Sequence, residues 1–469
     1  MLPALALALA IVVQDRTALR TAPRARASEL TTLWQGEVLE VRAERAGYLK
    51  VYDYRHERGG YLRRDSVRAV GVTAADAPEL LAVLRFLTDS PGAESLGISY
   101  GAAYIKAAPA STLTAEPFER IAHMAERLAD QASGRAAGHA EVAAHLDVAQ
   151  QFGVHMRTFE RDGHMRVCYD GELYGRVLSM PGASPEQRAH AALGLTRPDC
   201  VDPALGVLLR APLDAERLRL LDGIEDRTLS VLTRSRLHAR RAAVLAALVY
   251  GQARRAQPTA VTAQRALDEL LAVHPEDLGE ERRDEYLDAL LRVGAIRWAA
   301  APAAPAATRL APLALTTTPG EPGQSCVTLN AANRGGPPLA RRCTYGVVWT
   351  RSARPFAQGR ALSLAVQPLE SWRELWVFHE SPDGWSIDVI SPGTEQPEEG
   401  YVDFAGFAPG TQRLLLAREV RERGAFHRRF EEWRLYDLAP EKQASTPELL
   451  ADFGRWQDPQ WRRETLALH

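Results

Sequence analysis

The tract Ala299-Ala-Ala-Pro-Ala-Ala-Pro-Ala-Ala307 constrains the fold most, because the hydrophobic period differs on its two sides. Before it, apolar residues recur at three- and four-residue spacing over long stretches. After it they alternate, as in strands. Alanine and proline without a periodic apolar face make a semi-rigid linker, placed here over 299–308. Helices and strands segregated in this way predict an α+β chain rather than an alternating βαβ one. At 469 residues the chain is too long for one compact core, and ~150 residues per domain suggests about three domains. With 46% hydrophobic and 25% charged residues it buries real cores and is not disordered. Fifty-seven basic and 59 acidic residues leave a net charge of −2, which excludes a global basic field for nucleic acid. Only three of those basic residues are lysines, Lys50, Lys106 and Lys442. The scattered arginine pairs are read as solvated surface.

The most specific pattern lies at 15–72. Thr17-Ala-Leu-Arg-Thr-Ala-Pro23 is followed by Leu33-Trp-Gln-Gly36-Glu-Val38-Leu-Glu-Val41, then Gly47-Tyr48-Leu-Lys-Val51, then Gly60-Tyr61-Leu-Arg. Alternating apolar residues with glycine at each corner read as the short strands of a small barrel. The order of these landmarks resembles the bacterial SH3 family: an L-R-x-x-P opening, an L-x-x-G strand pair, a G-(W/Y)-x-K-V strand and a closing G-(W/Y)-(V/L) segment. It departs in carrying Tyr48 and Tyr61 where tryptophan is common, and in a charged insert, Arg55-His-Glu-Arg58, expected as a hairpin loop. The resemblance implies a non-catalytic module that binds peptides or cell-wall material. It makes Trp34, Tyr48, Tyr52, Tyr54 and Tyr61 candidates for an aromatic groove; the alternative is that most of them fill the barrel's core.

Residues 76–298 are expected to be helical hairpins. Pro78 opens the first helix, and Phe118, Ile121, Ala122, Ala125 and Leu128 mark one buried face. A β-hairpin interrupts the helices near 154–170, with an Asp162-Gly163 turn. Helix resumes at the capping box Ser184-Pro-Glu-Gln187, and a long helical stretch spans 214–256 with a basic cluster at Arg234, Arg236, Arg240 and Arg241. No 34-residue repeat is present, so the array is not assigned to a repeat family. Residues 309–469 are expected to be antiparallel β. Phe356-Ala-Gln-Gly359 and Phe407-Ala-Pro-Gly410, 51 residues apart, each lead into an apolar strand. That echo resembles the blades of WD40-like or TolB-type propellers, although a short curved meander fits the available length better than a closed ring.

The chain opens on an apolar run, Met1 to Val13, of the length of a signal-peptide h-region and too short to span a bilayer. Residues 1–14 are therefore read as a signal peptide, with a buried first strand or helix as the alternative. The four cysteines, Cys168, Cys200, Cys326 and Cys343, have no C-x-x-C or zinc-finger spacing. In an exported chain the economical reading is two disulfides, and without export the four are buried free thiols. Four cysteines allow three connectivities, of which Cys168–Cys200 with Cys326–Cys343 is favoured because each pair closes a short loop within one domain. This places the protein in the periplasm, with no transmembrane segment beyond the signal.

Gly97-Ile-Ser99-Tyr-Gly101 matches G-x-S-x-G, but no strand precedes it and both glycines sit in a helical pattern, so helix packing explains them better. His139, His145, His155 and His164 cluster with Asp147, but no two histidines stand four apart on one helix face. They are read as surface histidines. Arg334-Gly-Gly336 is read as a loop, and Ser381-Pro-Asp-Gly384 as a hairpin turn rather than a calcium site. No catalytic residue, metal or cofactor is assigned. The expectation is a non-catalytic binding or scaffold protein of the cell envelope that takes peptide, glycan or protein partners and not nucleic acid. The alternatives are an envelope-polymer hydrolase with a dispersed site, or a structural assembly component.

Overall fold

The computed structural model describes residues 8–134, 139–161, 163–300, 307–310, 312–332, 336–393 and 399–464. The chain forms two compact units: Met1–Leu205 with Gly223–Thr233, and Gly206–Asp222 with Arg234–His469. The helical middle expected at 76–298 is thus shared between the two units, and no unit boundary falls at the Ala/Pro tract. Of that tract, residues 301–306 lie outside the described residues. Among the described residues no helix is long and apolar enough to cross a membrane.

The first unit opens with a seven-stranded antiparallel sheet of β1 (Ala8–Val12), β2 (Thr17–Arg20), β3 (Glu29–Leu33), β4 (Val38–Arg45), β5 (Tyr48–Asp53), β6 (Arg58–Arg63) and β7 (Val67–Val70). Its order is β3-β2-β6-β5-β4-β1-β7, a path that does not close on itself among the described residues. The apolar opening run belongs to this sheet. β1 pairs with β4 on one side and β7 on the other. Ala10 and Val12 enter the sheet's own core with Leu19, Leu39, Val51 and Leu62, while Ile11 faces Leu80, Leu87 and Tyr100 of the helices that follow. A strand buried on both faces carries an unbroken apolar run, the same signature as a signal h-region. Residues 8–12 of the stretch read as a signal peptide thus lie in a buried strand, the arrangement of the alternative reading; residues 1–7 lie outside the described residues.

The helices of this unit are α1 (Ala77–Thr88), α2 (Glu94–Ala107), α3 (Glu116–Ser133), α4 (His139–Gln151), α5 (Glu172–Ser179) and α6 (Pro185–Leu195), with the hairpin β8 (Met156–Arg161) and β9 (His164–Tyr169) between α4 and α5. Asp162 of the hairpin turn lies outside the described residues. Helix α3 is the hub: its Phe118, Ile121, Ala122, Ala125 and Leu128 are buried among residues of α1, α2, α5 and β9. The capping box at Ser184 and Gln187 starts α6 with both reciprocal hydrogen bonds. Cys168 of β9 is bonded to Cys200.

In the second unit the stretch expected as one long helix is two, α7 (Val207–Asp222) and α8 (Val231–Arg254), with α9 (Ala260–Leu271) and α10 (Gly279–Ile296) following. The β region is three successive four-stranded antiparallel meanders. The first is β10 (Ala307–Leu310), β11 (Leu313–Pro319), β12 (Ser325–Ala331) and β13 (Ala340–Thr344), where Cys326 and Cys343 face each other across the β12–β13 pair and are bonded. The second is β14 (Val347–Phe356), β15 (Ala361–Leu369), β16 (Trp372–Ser381) and β17 (Gly384–Ile390). The third is β18 (Glu399–Ala408), β19 (Arg413–Glu422), β20 (Ala425–Arg434) and β21 (Ala439–Ala444), followed by the short helices α11 (Ala451–Trp456) and α12 (Pro459–Glu464). A short parallel contact between β16 and β18 joins the last two meanders into one eight-stranded sheet. β15 is buried on both faces: Leu362, Leu364 and Val366 pack on Leu315 and Leu329, and Ala365 on the α8–α10 core of Leu245, Val249 and Val293.

Several arginines read as solvated surface are buried here. Arg292 of α10, 8% exposed, reaches Asp288, Glu370 and Glu399, and the buried Arg217 of α7 pairs with Asp214, which the half-buried Arg210 shares. Within the expected basic cluster, Arg240 and Arg241 are also buried, and Arg241 donates to the Leu221 carbonyl. A planar guanidinium tolerates burial when its fork meets carboxylates or carbonyls, so arginine content alone does not mark surface.

Candidate functional site

The outer face of β4–β6 gathers the tyrosines singled out in the sequence. Along β5 the inward side chains are Leu49, Val51 and Asp53, which leaves Tyr48, Lys50 and Tyr52 on the opposite face. On β6 the core takes Gly60 and Leu62, and Tyr61 stands outward. Register brings these together: Lys50 is opposite Tyr61, Tyr48 opposite Arg63, and Tyr52 opposite both Glu40 and Gly59. Tyr48, Tyr52 and Tyr61 are half-buried, while Tyr54 at the turn is 64% exposed. The Tyr54 ring meets Tyr52 edge-on at 4.9 Å, and the Arg42 guanidinium lies 4.0 Å over the Tyr52 ring. Such cation–π and edge contacts hold the rings in place at an exposed site.

Trp34 is not part of this face. It sits at the β3–β4 turn, half-buried, with its ring edge-on to His145 of α4 at 6.1 Å. Sequence reasoning missed Arg42 and Lys50 as members of the tyrosine face. Their signal is the two-residue strand period that sets Lys50 between Tyr48 and Tyr52.

The charged insert forms the β5–β6 turn, held by Asp53. Its carboxylate accepts from the backbone N–H of Arg55 and His56, lies 2.6 Å from His56 Nδ1 and accepts from Arg58 Nε. Burial pushes the Asp53 carboxyl up, but the His56 and Arg58 interactions outweigh it and leave it below its ordinary value. Glu37 behind it is buried and raised chiefly by desolvation.

Two groups of side chains bring three metal-type donor atoms within 4.8 Å of one another: Asp15, Glu141 and His145, and Glu37, Asp53 and His56. In the second, Arg58 already supplies the positive charge. In the first, Asp15 is saturated by protein donors, since Gln35 gives it both its backbone N–H and its side-chain amide, and His145 Nε2 lies 2.8 Å away. His145 is 7% exposed, which corrects its reading as a surface histidine; it ties α4 to the β1–β2 connection. His155 and His164 are exposed, and the side chain of His139 lies outside the described residues.

Ser99 is 1% exposed and donates to the Gly36 carbonyl at 2.5 Å and the Ser95 carbonyl at 3.0 Å. Gly36, at φ +92, is close enough that a Cβ would lie 2.6 Å from the Ser95 oxygen. The serine therefore locks α2 against the β3–β4 turn. Gly97 and Gly101 face Met124 and Ile121, where a Cβ would lie 2.3 and 2.5 Å from side-chain atoms, so the two glycines let α2 and α3 approach. Comparison with protein-family models, curated proteins and solved structures finds no match to this chain.

Proposed function

We propose that the protein is a non-catalytic binding protein of the bacterial cell envelope, and that the outer face of β4–β6 is an SH3-like module that takes cell-wall glycan. The observation that carries this reading is the presentation of Tyr48, Tyr52 and Tyr61 outward, with Lys50 and Arg42 among them, instead of their packing into the sheet's core. Flat aromatic rings stack on the apolar faces of sugars, and the two cations suit the carboxylates of a wall polymer. Two disulfides fit a chain that matures in an oxidising compartment such as the periplasm. Export rests on these bonds and not on the apolar opening run. The three successive meanders resemble propeller blades and serve in this reading as a scaffold, with no chemistry of their own.

Cosedimentation of the oxidised protein with purified cell-wall sacculi tests the proposal. The wild type is expected to pellet with the sacculi, and the Tyr48→Ser, Tyr52→Ser, Tyr61→Ser triple variant to lose roughly tenfold in affinity at unchanged Tm. Release of soluble wall fragments during the incubation would favour a hydrolase instead.

A further inference from the structure

Each outward tyrosine of β4–β6 has a cation beside it. Strand register sets Tyr48 between Arg45 of β4 and Arg63 of β6, and Tyr61 between Lys50 of β5 and Arg20 of β2. Directly paired residues share a face, with Cβ atoms about 4.5–5.5 Å apart, so ring and cation are next neighbours in both rows. Tyr52 has the Arg42 guanidinium over its ring. Residues 8–72 hold twelve basic and eight acidic side chains, although the whole chain carries −2.

The acids near the face are already matched: Glu40 to Arg42, Asp65 to Arg63 and Glu44 to Arg64. Glu29, opposite Arg20 on β3, accepts from Thr32, and Arg20 donates to the Ala27 carbonyl. Arg45 and Lys50 are exposed and meet no acid among the described residues. The face therefore offers stacking surface and unanswered positive charge side by side, and a ligand that fits it carries its anion next to the ring that stacks.

Wall glycan that still bears its stem peptides does not meet this condition. The lactyl carboxyl of its muramic acid is an uncharged amide, and the remaining carboxylates stand out along the peptide, away from the sugars. Removal of the peptide leaves the carboxylate on the sugar itself, once in every disaccharide. We infer that the β4–β6 face selects glycan strands stripped of their stem peptides, with Tyr48, Tyr52 and Tyr61 stacking on the sugars and Arg45 and Lys50 pairing with the free muramic carboxylates. The selection presupposes wall binding by this face, as proposed above, and narrows it to one form of the polymer. Single-stranded nucleic acid also joins rings to anions, but the two disulfides fit a compartment in which wall polymer is the neighbour.

Isothermal titration calorimetry of the full-length oxidised protein tests this with two soluble ligands: glycan strands cleared of peptide by an amidase, and the same strands with their carboxylates converted to methylamides. The methylamide reproduces the uncharged linkage of the peptide-bearing polymer. The free-carboxylate strands are expected to bind several-fold more tightly, with an affinity that falls as salt is added. Arg45→Gln with Lys50→Gln is expected to bring the two ligands level at unchanged Tm; if that variant fails to fold, the comparison of ligands on the wild type decides. Equal affinity of the wild type for the two ligands would overturn the selection and leave wall binding in place. No binding of either ligand, and no pelleting with sacculi, would overturn both. A single-stranded oligonucleotide of matched charge that binds as tightly as the free strands would overturn the selection in favour of a general polyanion surface.

Discussion

Phe356 and Phe407, 51 residues apart in sequence, pack with ring centroids 5.3 Å apart in the core of the eight-stranded sheet. Phe356 ends the first strand of its meander and Phe407 is the last residue but one of its own, each just before a turn, so the sequence echo is a structural one: two similar hairpins meet at their phenylalanines. A double-mutant cycle with Phe356→Leu and Phe407→Leu is predicted to show a coupling of about 0.5–1.5 kcal/mol by denaturant unfolding. Strict additivity of the two changes would show that the two hairpins do not support each other.

Strand β1 carries a prediction of its own. Ile11 is 1% exposed and faces the helices, while its neighbours Ala10 and Val12 face the sheet. Ile11→Ala is expected to cost about 2–4 kcal/mol of unfolding free energy. A variant as stable as the wild type would contradict a structural role for the opening apolar run.

The Cys168–Cys200 bond closes a span of 32 residues around α5 and α6. Replacing both cysteines by alanine is predicted to lower stability by about 2–4 kcal/mol, and dithiothreitol to lower the Tm of the wild type by more than that of the variant, which keeps only the Cys326–Cys343 bond. Four free thiols in protein purified from the cell envelope, read by mass spectrometry, would remove both the disulfides and the support they give to export.

Glu116 at the start of α3 accepts two hydrogen bonds from Arg85 and one from Arg120. The Arg85 hydrogen bonds, followed by those of Arg120, hold its carboxyl down at about 2. A carboxyl lowered in the folded state contributes stability that is fully present above its unfolded value, near 4.5, and is lost as pH falls toward 2. Stability measured from pH 5 to pH 2 is predicted to fall less steeply in Glu116→Gln, by about 1 kcal/mol over that range because Arg85 is largely exposed. Parallel curves for the two proteins would contradict this assignment.

Local signals were legible wherever a short pattern fixes the backbone. The Ser184 capping box, the hairpin at 154–170, the apolar face of α3 and both cysteine pairs follow from spacing and chain chemistry. What resisted reading depends on tertiary burial. The run containing Ile11 has one composition whether it is cut away or buried on both faces, and only its partners β4 and β7 decide between the two. Arg292 and Arg373 resemble any surface arginine until Glu399 and Asp403 arrive from strands far along the chain. The tyrosine face was half legible: the family resemblance named Tyr48 and Tyr52 together, and strand alternation sets them on one face, but Trp34, named with them, parts from them in space, beside His145.

The central claim, that the outer face of β4–β6 binds wall polymer, is tested most directly by hydroxyl-radical footprinting of the oxidised protein with and without sacculi. Protection of Tyr48, Tyr52, Tyr54 and Tyr61, with Trp34 unchanged, is the predicted result. Equal labelling of the four tyrosines in the two states, with the protein nonetheless bound, would contradict it.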